Sequence, residues 1–427
     1  MFRFSLRTVL CWNAHLWKIL FLTVVTLFAL LPYATYNLPY SLLYNKLHKS
    51  ETLIQIASNL NEQRLQSAKK YFENLDGTAS LNLYNSSAEN HQLDLVICIV
   101  TNDRSSVQLG AIQPGYALQA AARMDELAKG DMLFRRKFLI ICSVDHHPGN
   151  NIDATFLKTY IPYVERFGSS NLPTHINISH LYAFGSRDSS IPYGIYIKES
   201  VDYAFCLNVT YAFDSKFVLM LEDDVIPHKD LFHVLRFNID RNILHSSHFV
   251  DEGGSRKLAF IKLFYPERWQ GYAFELDRIV ELLSVGAVGS PILILFHILL
   301  SKEKLKYSLL FFYFVSGFIL MTIIASIVGR QNINELRRVS PQLFIFRDTP
   351  GCCTPAVLYP TSIIPRLTGY LTAFQDNSVH KDIIINKFIQ SNNIPGYLLE
   401  PNLFKHIGMF TSLKQGYKDP AEFIFHL

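Results

Sequence analysis

Cysteine is scarce, with six in 427 residues. There is no CxxC pair and no zinc-ligand spacing, so the fold is organised neither by a disulfide scaffold nor by a structural zinc module. Cys98, Cys142 and Cys206 sit in apolar runs and read as small core residues, although an oxidising compartment permits a bridge. Pro350-Gly351-Cys352-Cys353-Thr354-Pro355 marks a turn and leaves open a bridge from at least one of its thiols, with a partner that spacing does not identify. Charge is also sparse: Asp, Glu, Lys and Arg make up 18% of the chain and the net charge is +4, which gives no reason to expect nucleic acid. Internal repeats and low-complexity runs are absent.

What the chain has in excess is apolar sequence, gathered in three blocks. No charge occurs from Ile19 to Tyr36, a stretch of about 18 residues that meets the threshold for a membrane-spanning helix. Arg3, Arg7 and Lys18 precede it and no small-residue cleavage site follows, which predicts an uncleaved signal anchor over 19–36 with a cytosolic tail at 1–18. Two further blocks, 282–300 and 307–328, are separated only by Ser301-Lys302-Glu303-Lys304-Leu305-Lys306. So short a link forces an antiparallel helical hairpin, and its lysines favour a cytosolic tip at 301–306. Both charge signals put 37–281 and 329–427 on the non-cytosolic side. The sequons at Asn85, Asn177 and Asn208 fall in that part. A buried hairpin in a soluble core is the alternative. His297, inside the hairpin, reads as a packing or interfacial residue because a proton relay would need partners that this pair lacks.

The segment 37–91 reads as a stem, with leucines and isoleucines among polar residues from 42 to about 76 predicting an amphipathic helix. The globular domain begins near 92. Leu93 to Val100 and Lys137 to Asp145 are near-continuous apolar runs of the kind buried on both faces of a sheet, with a helix expected from Tyr116 to Lys129 between them. Strand, helix, strand at this spacing predicts a βαβ unit, and hence an α/β domain with a mostly parallel sheet. A helix from Ile195 to Asn208 leads to a strand from Lys216 to Leu221, and Lys257 to Tyr265 reads as the next. Pro341 to Phe346 and Ala356 to Pro360 look like two more strands, so the hairpin interrupts one domain, leaving its parts at 92–281 and 329–427.

The apolar run Phe217 to Leu221 delivers Glu222-Asp223-Asp224 at its carboxyl end, and Val225-Ile226-Pro227 follows. Ligands of parallel α/β sheets gather beyond the carboxyl ends of the strands. Three carboxylates there suit a hard divalent cation and the diphosphate that it neutralises. Asp103, Arg104 and Asp145 end the other two runs and are expected at the same crevice.

After this triplet come Gly369-Tyr370-Leu371, His380-Lys381-Asp382 and His406-Ile407-Gly408, the order of hallmarks in glycosyltransferases of the GT-A fold. Leu221 to Val225 and Glu400 to Gly408 resemble stretches of N-acetylglucosaminyltransferase IV. The chain is similar over nearly its whole length to the Golgi enzymes that add N-acetylgalactosamine to the glycan core of GPI anchors. The resemblance is carried by the N-terminal helix, by Tyr265 to Phe274 before a hairpin that splits the catalytic domain, and by Cys352 to Pro360 after it. It implies a GT-A-type domain split by a transmembrane helical hairpin, lumenal in the Golgi membrane. The implied reaction is transfer from UDP-GalNAc to a core mannose of GPI-anchored proteins, with inversion and with Mn²⁺.

On this resemblance Asp224 holds the metal, His406 completes metal or diphosphate binding, and Glu222 or Asp223 reaches the ribose or an outer water. Glu-Asp-Asp departs from Asp-x-Asp, so Glu222 also stays among the possible metal ligands. Asp145 and Arg104 are placed against uridine and diphosphate. Inversion needs a carboxylate that takes the acceptor proton, and Asp382 is the first choice, ahead of Asp376 and then Glu267. Two other functions compete: a lumenal N-acetylglucosaminyltransferase of N-glycans, and a catalytically inactive membrane protein that binds GPI or another glycolipid.

Overall fold

The computed structural model describes residues 17, 21, 23–88, 92–103, 114–147, 149–183, 194–244, 258–266, 270–301, 307–374, 376–411 and 416–417. It divides into two units, one of 1–53 and 267–337, the other of 54–266 and 338–427.

The larger unit is built on an eight-stranded sheet. Its strands are β1 (Leu93–Thr101), β2 (Lys137–Ser143), β3 (Tyr163–Glu165), β4 (Ser215–Glu222), β6 (Phe260–Lys262), β7 (Ile345–Asp348), β8 (Ala356–Pro360) and β9 (Gly396–Glu400). The order is β3-β2-β1-β4-β8-β6-β9-β7. A separate two-stranded ribbon pairs β5 (Val225–Pro227) with β10 (Phe404–His406). The helices used below are α1 (Ser50–Glu73), α2 (Gly77–Ala88), α3 (Tyr116–Gly130), α4 (Ile152–Leu157), α5 (Ile195–Tyr211), α6 (Ile364–Ala373) and α7 (Lys381–Asn392).

The expected βαβ unit is present, with β1 and β2 parallel and joined through α3. Leu95 to Ile99 and Phe138 to Cys142 are fully buried, as uninterrupted apolar strands covered on both faces must be. The chain then crosses to the other edge of β1, where β4 pairs in parallel, bringing Val100 opposite Glu222. Connections thus leave β1 and β4 in opposite directions, and the strand ends diverge there to leave a crevice. Beyond β4 the sheet is mixed. β8 runs antiparallel to both β4 and β6, and β7 antiparallel to β9, whereas β6 and β9 are parallel.

Three expected strands change extent. Among the described residues of Lys257 to Tyr265 the strand is Phe260–Lys262, and Pro341 to Phe346 opens with a 3-10 turn before β7 starts at Ile345. Pro341 has no N–H to give a ladder, and Ser340 accepts from Gln342 N to cap the turn. Lys137 to Asp145 ends as a strand at Ser143, which frees Asp145 for the crevice. In the segment read as a stem, Leu65, Ala68 and Phe72 of α1 and Tyr84 of α2 lie in the core of the sheet unit. Gly115, in the left-handed region at φ +54°, makes room for this: a Cβ there would meet Leu65 Cδ1 at 2.4 Å.

Cysteine pairing also differs from expectation. Cys142 and Cys206 form a disulfide that ties β2 to α5, while Cys98, Cys352 and Cys353 are thiols. The three core sulfurs lie within 4.8 Å of one another, but with two of them oxidised they are no metal site.

The smaller unit carries two helices, Leu276–Ser301 and Tyr307–Val328, each long and apolar enough to cross a membrane. Outward side chains such as Leu293, Leu295, Phe311 and Ile319 are exposed. Between the helices the contacts are small: a Cβ on Gly286 would meet Thr322 Oγ1 at 2.2 Å, and one on Gly317 would meet Ser290 Oγ at 2.8 Å. Ser290 Oγ also donates to Phe314 O at 2.7 Å across the pair. Close approach over glycine and a cross-helix hydroxyl are what hold helices together where solvent offers no hydrophobic drive. Of the expected cytosolic tip at 301–306, residues 302–306 lie outside the described residues, as does most of 1–22. From Thr26 to Thr35 the first apolar block is helical.

Candidate active site

Strand register places the chemistry. β1, β2 and β4 end together, and the turns that follow deliver Asp103, Asp145 and Glu222-Asp223-Asp224 to one edge. Thr101 Oγ1 donates to Asp223 Oδ2 at 2.9 Å and accepts from Asn151 Nδ2 at 3.1 Å. The Asn151 amide also donates to Asp145 Oδ2, which Ser143 Oγ reaches at 2.9 Å, while the Asp103 N–H donates to Asp145 Oδ1. Burial pushes the Asp145 carboxyl up despite these donors. The network fixes the first two strand ends to the triplet. Asn151 earns its place twice, since its Oδ1 also caps α4 by accepting from Ala154 N.

Asp224 is buried and faces His406, with Nε2 to Oδ2 at 3.4 Å. The approach is a product of the ribbon: His406 pairs with Val225, and the Ile407 N–H donates to Asp224 O at 2.8 Å. His406 lies parallel to the Phe264 ring, and Tyr116 Oη accepts from Met409 N at 2.8 Å to hold the chain just beyond. Gly408 keeps the site open, because a Cβ there would meet Asp224 Oδ2 at 2.3 Å and His406 Cε1 at 2.9 Å. One carboxylate and one imidazole at this separation are a donor pair that manganese or a similar divalent ion accepts.

Glu222 points elsewhere. Its Oε1 accepts from Lys381 Nζ at 2.8 Å, and the same ammonium reaches Glu199 Oε1 at 2.8 Å and Asp382 Oδ1 at 3.6 Å. Burial opposes the charge on Lys381, but Glu199, Glu222 and Asp382 outweigh it and hold its pKa well above the ordinary value. Asp382 is buried deep enough for desolvation to favour its neutral form, yet Lys381, Thr354, Lys262 and the Cys353 N–H together hold its pKa below the usual carboxylate range. Cys353 N donates to Asp382 Oδ2 at 2.9 Å and Thr354 Oγ1 to Oδ1 at 2.5 Å. Below this turn, Lys262 Nζ donates to Pro350 O at 2.8 Å and Cys352 O at 2.6 Å. The cysteine turn is therefore held by ion and backbone contacts, with Cys353 at φ +69°.

The structure thus brings Asp145, Glu222, Asp223, Asp224, His406 and Asp382 to one edge of the sheet. Asp376 lies on the exposed turn before α7, where its Oδ1 accepts from Ser378 N and Oγ. Beside it, Asn377 Oδ1 caps α5 by accepting from Tyr196 N at 3.1 Å, and only glycine at 194 leaves space for that amide. Arg104 and Glu267 fall outside the described residues. Sequence reasoning missed Thr101, Asn151, Glu199 and Lys381 as site residues. Lys381 carried the one usable signal, since it precedes the candidate base.

A mixed α/β sheet with carboxylates, a histidine and a buried lysine at the ends of its parallel strands belongs with the α/β proteins that bind ligands at that edge. Residues 95–405 match the family model of the GPI-N-acetylgalactosamine transferase PGAP4, and the chain belongs to that family. It is thereby a glycosyltransferase, with a GPI-anchored acceptor and a sugar-nucleotide donor.

Proposed function

We propose that the chain transfers N-acetylgalactosamine from UDP-GalNAc to a core mannose of GPI anchors, with inversion, from a GT-A-type domain in the Golgi lumen. The observation that carries this reading is the gathering of Asp224–His406 and Glu222–Lys381–Asp382 at the ends of β1 and β4 in a chain of this family. Asp224 and His406 would hold Mn²⁺. When bound, the ion would offset charge on the departing diphosphate. Asp223, fixed by Thr101, and Asp145, fixed by Asn151 and Ser143, would orient the nucleoside end.

Asp382 is the proposed base, with Asp376 and Glu267 behind it. Its depressed pKa keeps it ionised throughout the neutral range, as a proton acceptor must be. The membrane reading is of three spans, 19–36 and the hairpin 282–300 and 307–328, with the sheet unit lumenal.

Purified full-length protein with Mn²⁺, UDP-GalNAc or UDP-GlcNAc, and a GPI acceptor tests the proposal through UDP release and product mass. Release with UDP-GalNAc supports it. UDP-GlcNAc as the only productive donor, or turnover with neither, overturns it. Asp382→Asn should lower turnover by about 10²-fold or more with donor binding kept, since general-base catalysis contributes on that order. Loss of donor binding, or a lowered unfolding temperature alone, would reassign Asp382 to anchoring Lys381.

A further inference from the structure

The ribbon of β5 and β10 has a second face. Ile226 pairs with Lys405, one step from the Val225–His406 pair, so alternation turns Ile226 and Lys405 away from the face that carries His406, and His228 and Ile407, one residue beyond each strand, line the same cavity. On that side lies an open cavity of about 330 Å³ whose polar lining is Arg64, Arg123, His228, Lys229 and Lys405. Among the described residues no carboxylate lines it. Arg64 is half-buried, and the partner of its Nε is the neutral amide oxygen of Gln119 at 3.0 Å, so burial pulls its pKa down. Arg123 meets Glu126, and His228 Nδ1 meets Asp230 at 3.1 Å, so carboxylates behind the wall offset part of its charge while the lining itself is basic. Lys229 and Lys405 are both exposed at its wall.

A concave wall of one charge sign raises the local concentration of the opposite sign, and guanidinium forks recognise phosphate oxygens in pairs. The volume stands at the small end for ligand pockets, with room for a phosphate and one attached ring. We propose that this cavity is a second ligand site that takes a phosphate ester, separate from the acidic edge on the opposite face of the ribbon. It deepens the reading above in one respect, resting on it for the identity of the ligand only: a GPI acceptor is a phosphodiester by its own chemistry, and holding that group would orient the glycan. A nucleotide phosphate is the other source.

The test is titration calorimetry on the full-length protein in neutral detergent with chelator, so that no divalent ion bridges anions to Asp224. Glycerophosphoinositol serves as the headgroup probe, with UDP and inorganic phosphate as the other arms. The expected result is headgroup binding that weakens with added salt, falls about tenfold or more in a Lys229→Gln, Lys405→Gln double variant, and persists in Asp224→Asn. Arg123→Gln should weaken it separately. UDP binding tighter than the headgroup, with the same sensitivity to the lysine pair, keeps the phosphate site and assigns it to the nucleotide. No binding of any probe at millimolar concentration, or binding lost in Asp224→Asn and kept in the lysine variant, overturns the proposal. Failure here is separable from failure of the proposed reaction, because transfer to a mannose oligosaccharide without phosphate should run at the parent rate in the lysine variant.

Discussion

Lys381 shows how one side chain can decide the chemistry of several others. With 6% of its surface exposed, it is surrounded by Glu199, Glu222 and Asp382, and removing it leaves carboxylates in a site that water reaches poorly. Breaking a buried ion pair from one side costs about 3 kcal/mol or more. Lys381→Met should therefore lower the unfolding temperature markedly, measured by differential scanning fluorimetry. The pH dependence has a definite sign. Asp382 is held below its ordinary pKa, so its stabilisation is complete above the ordinary carboxylate value and disappears as pH falls through the depressed one. Lys381 is raised, so its contribution is complete below the ordinary lysine value and disappears only as pH rises through the raised one. The parent protein should lose stability on the acid side, and in Lys381→Met that acid limb should move toward neutral. An unchanged acid limb in the variant would show that Lys381 does not set the ionisation of Asp382.

At the scale of elements, the ribbon is the part that joins chemistry to fold. Its register sets His406 opposite Val225, and Gly408 leaves the gap in which Asp224 and His406 approach. Gly408→Ala puts a methyl group within 2.3 Å of Asp224 Oδ2, so one of the two partners must move. With Asp224 and His406 as the proposed Mn²⁺ ligands, the expected outcome is a raised Mn²⁺ concentration for half-maximal turnover, roughly 10-fold or more. Equal metal dependence in variant and parent would remove His406 and Asp224 as the paired ligands. The strands behind this site were legible in sequence where burial is two-sided: β1, β2 and β4 are unbroken apolar runs followed by polar residues. The direction of β8 was not, since Ala356 to Pro360 would look the same pairing either way and only its neighbours β4 and β6 decide. Likewise Lys381 was visible only as the residue before Asp382, because Glu199 and Glu222 reach it from α5 and β4. The basic cavity was invisible for the same reason, its cations being scattered from Arg64 to Lys405. The bridge fell on Cys142 and Cys206 because β2 and α5 bring them together, whereas the cysteine turn is occupied by Lys262, Asp382 and Asn386.

On the scale of the whole molecule, the notable fact is where the apolar helices enter the chain. They fall between β6 and β7, which flank the same strand, β9. An insertion at that point leaves the sheet's pairing intact, because β6 and β7 are each held by β9 rather than by the connection between them. The sheet unit should therefore fold without the hairpin. What the hairpin would supply is residence at the bilayer, which for an acceptor anchored in the same membrane replaces a search through solution by one along a surface. Replacing 282–328 with a short flexible linker, while keeping the N-terminal segment, separates these roles. Turnover on a soluble GPI glycan should stay near the parent rate, while turnover on anchored acceptor in vesicles should fall by about tenfold or more. Equal turnover on both acceptors would mean that the first apolar segment suffices as a tether. Loss of activity on both, with a lowered unfolding temperature, would mean that the hairpin is instead part of what keeps the sheet unit folded.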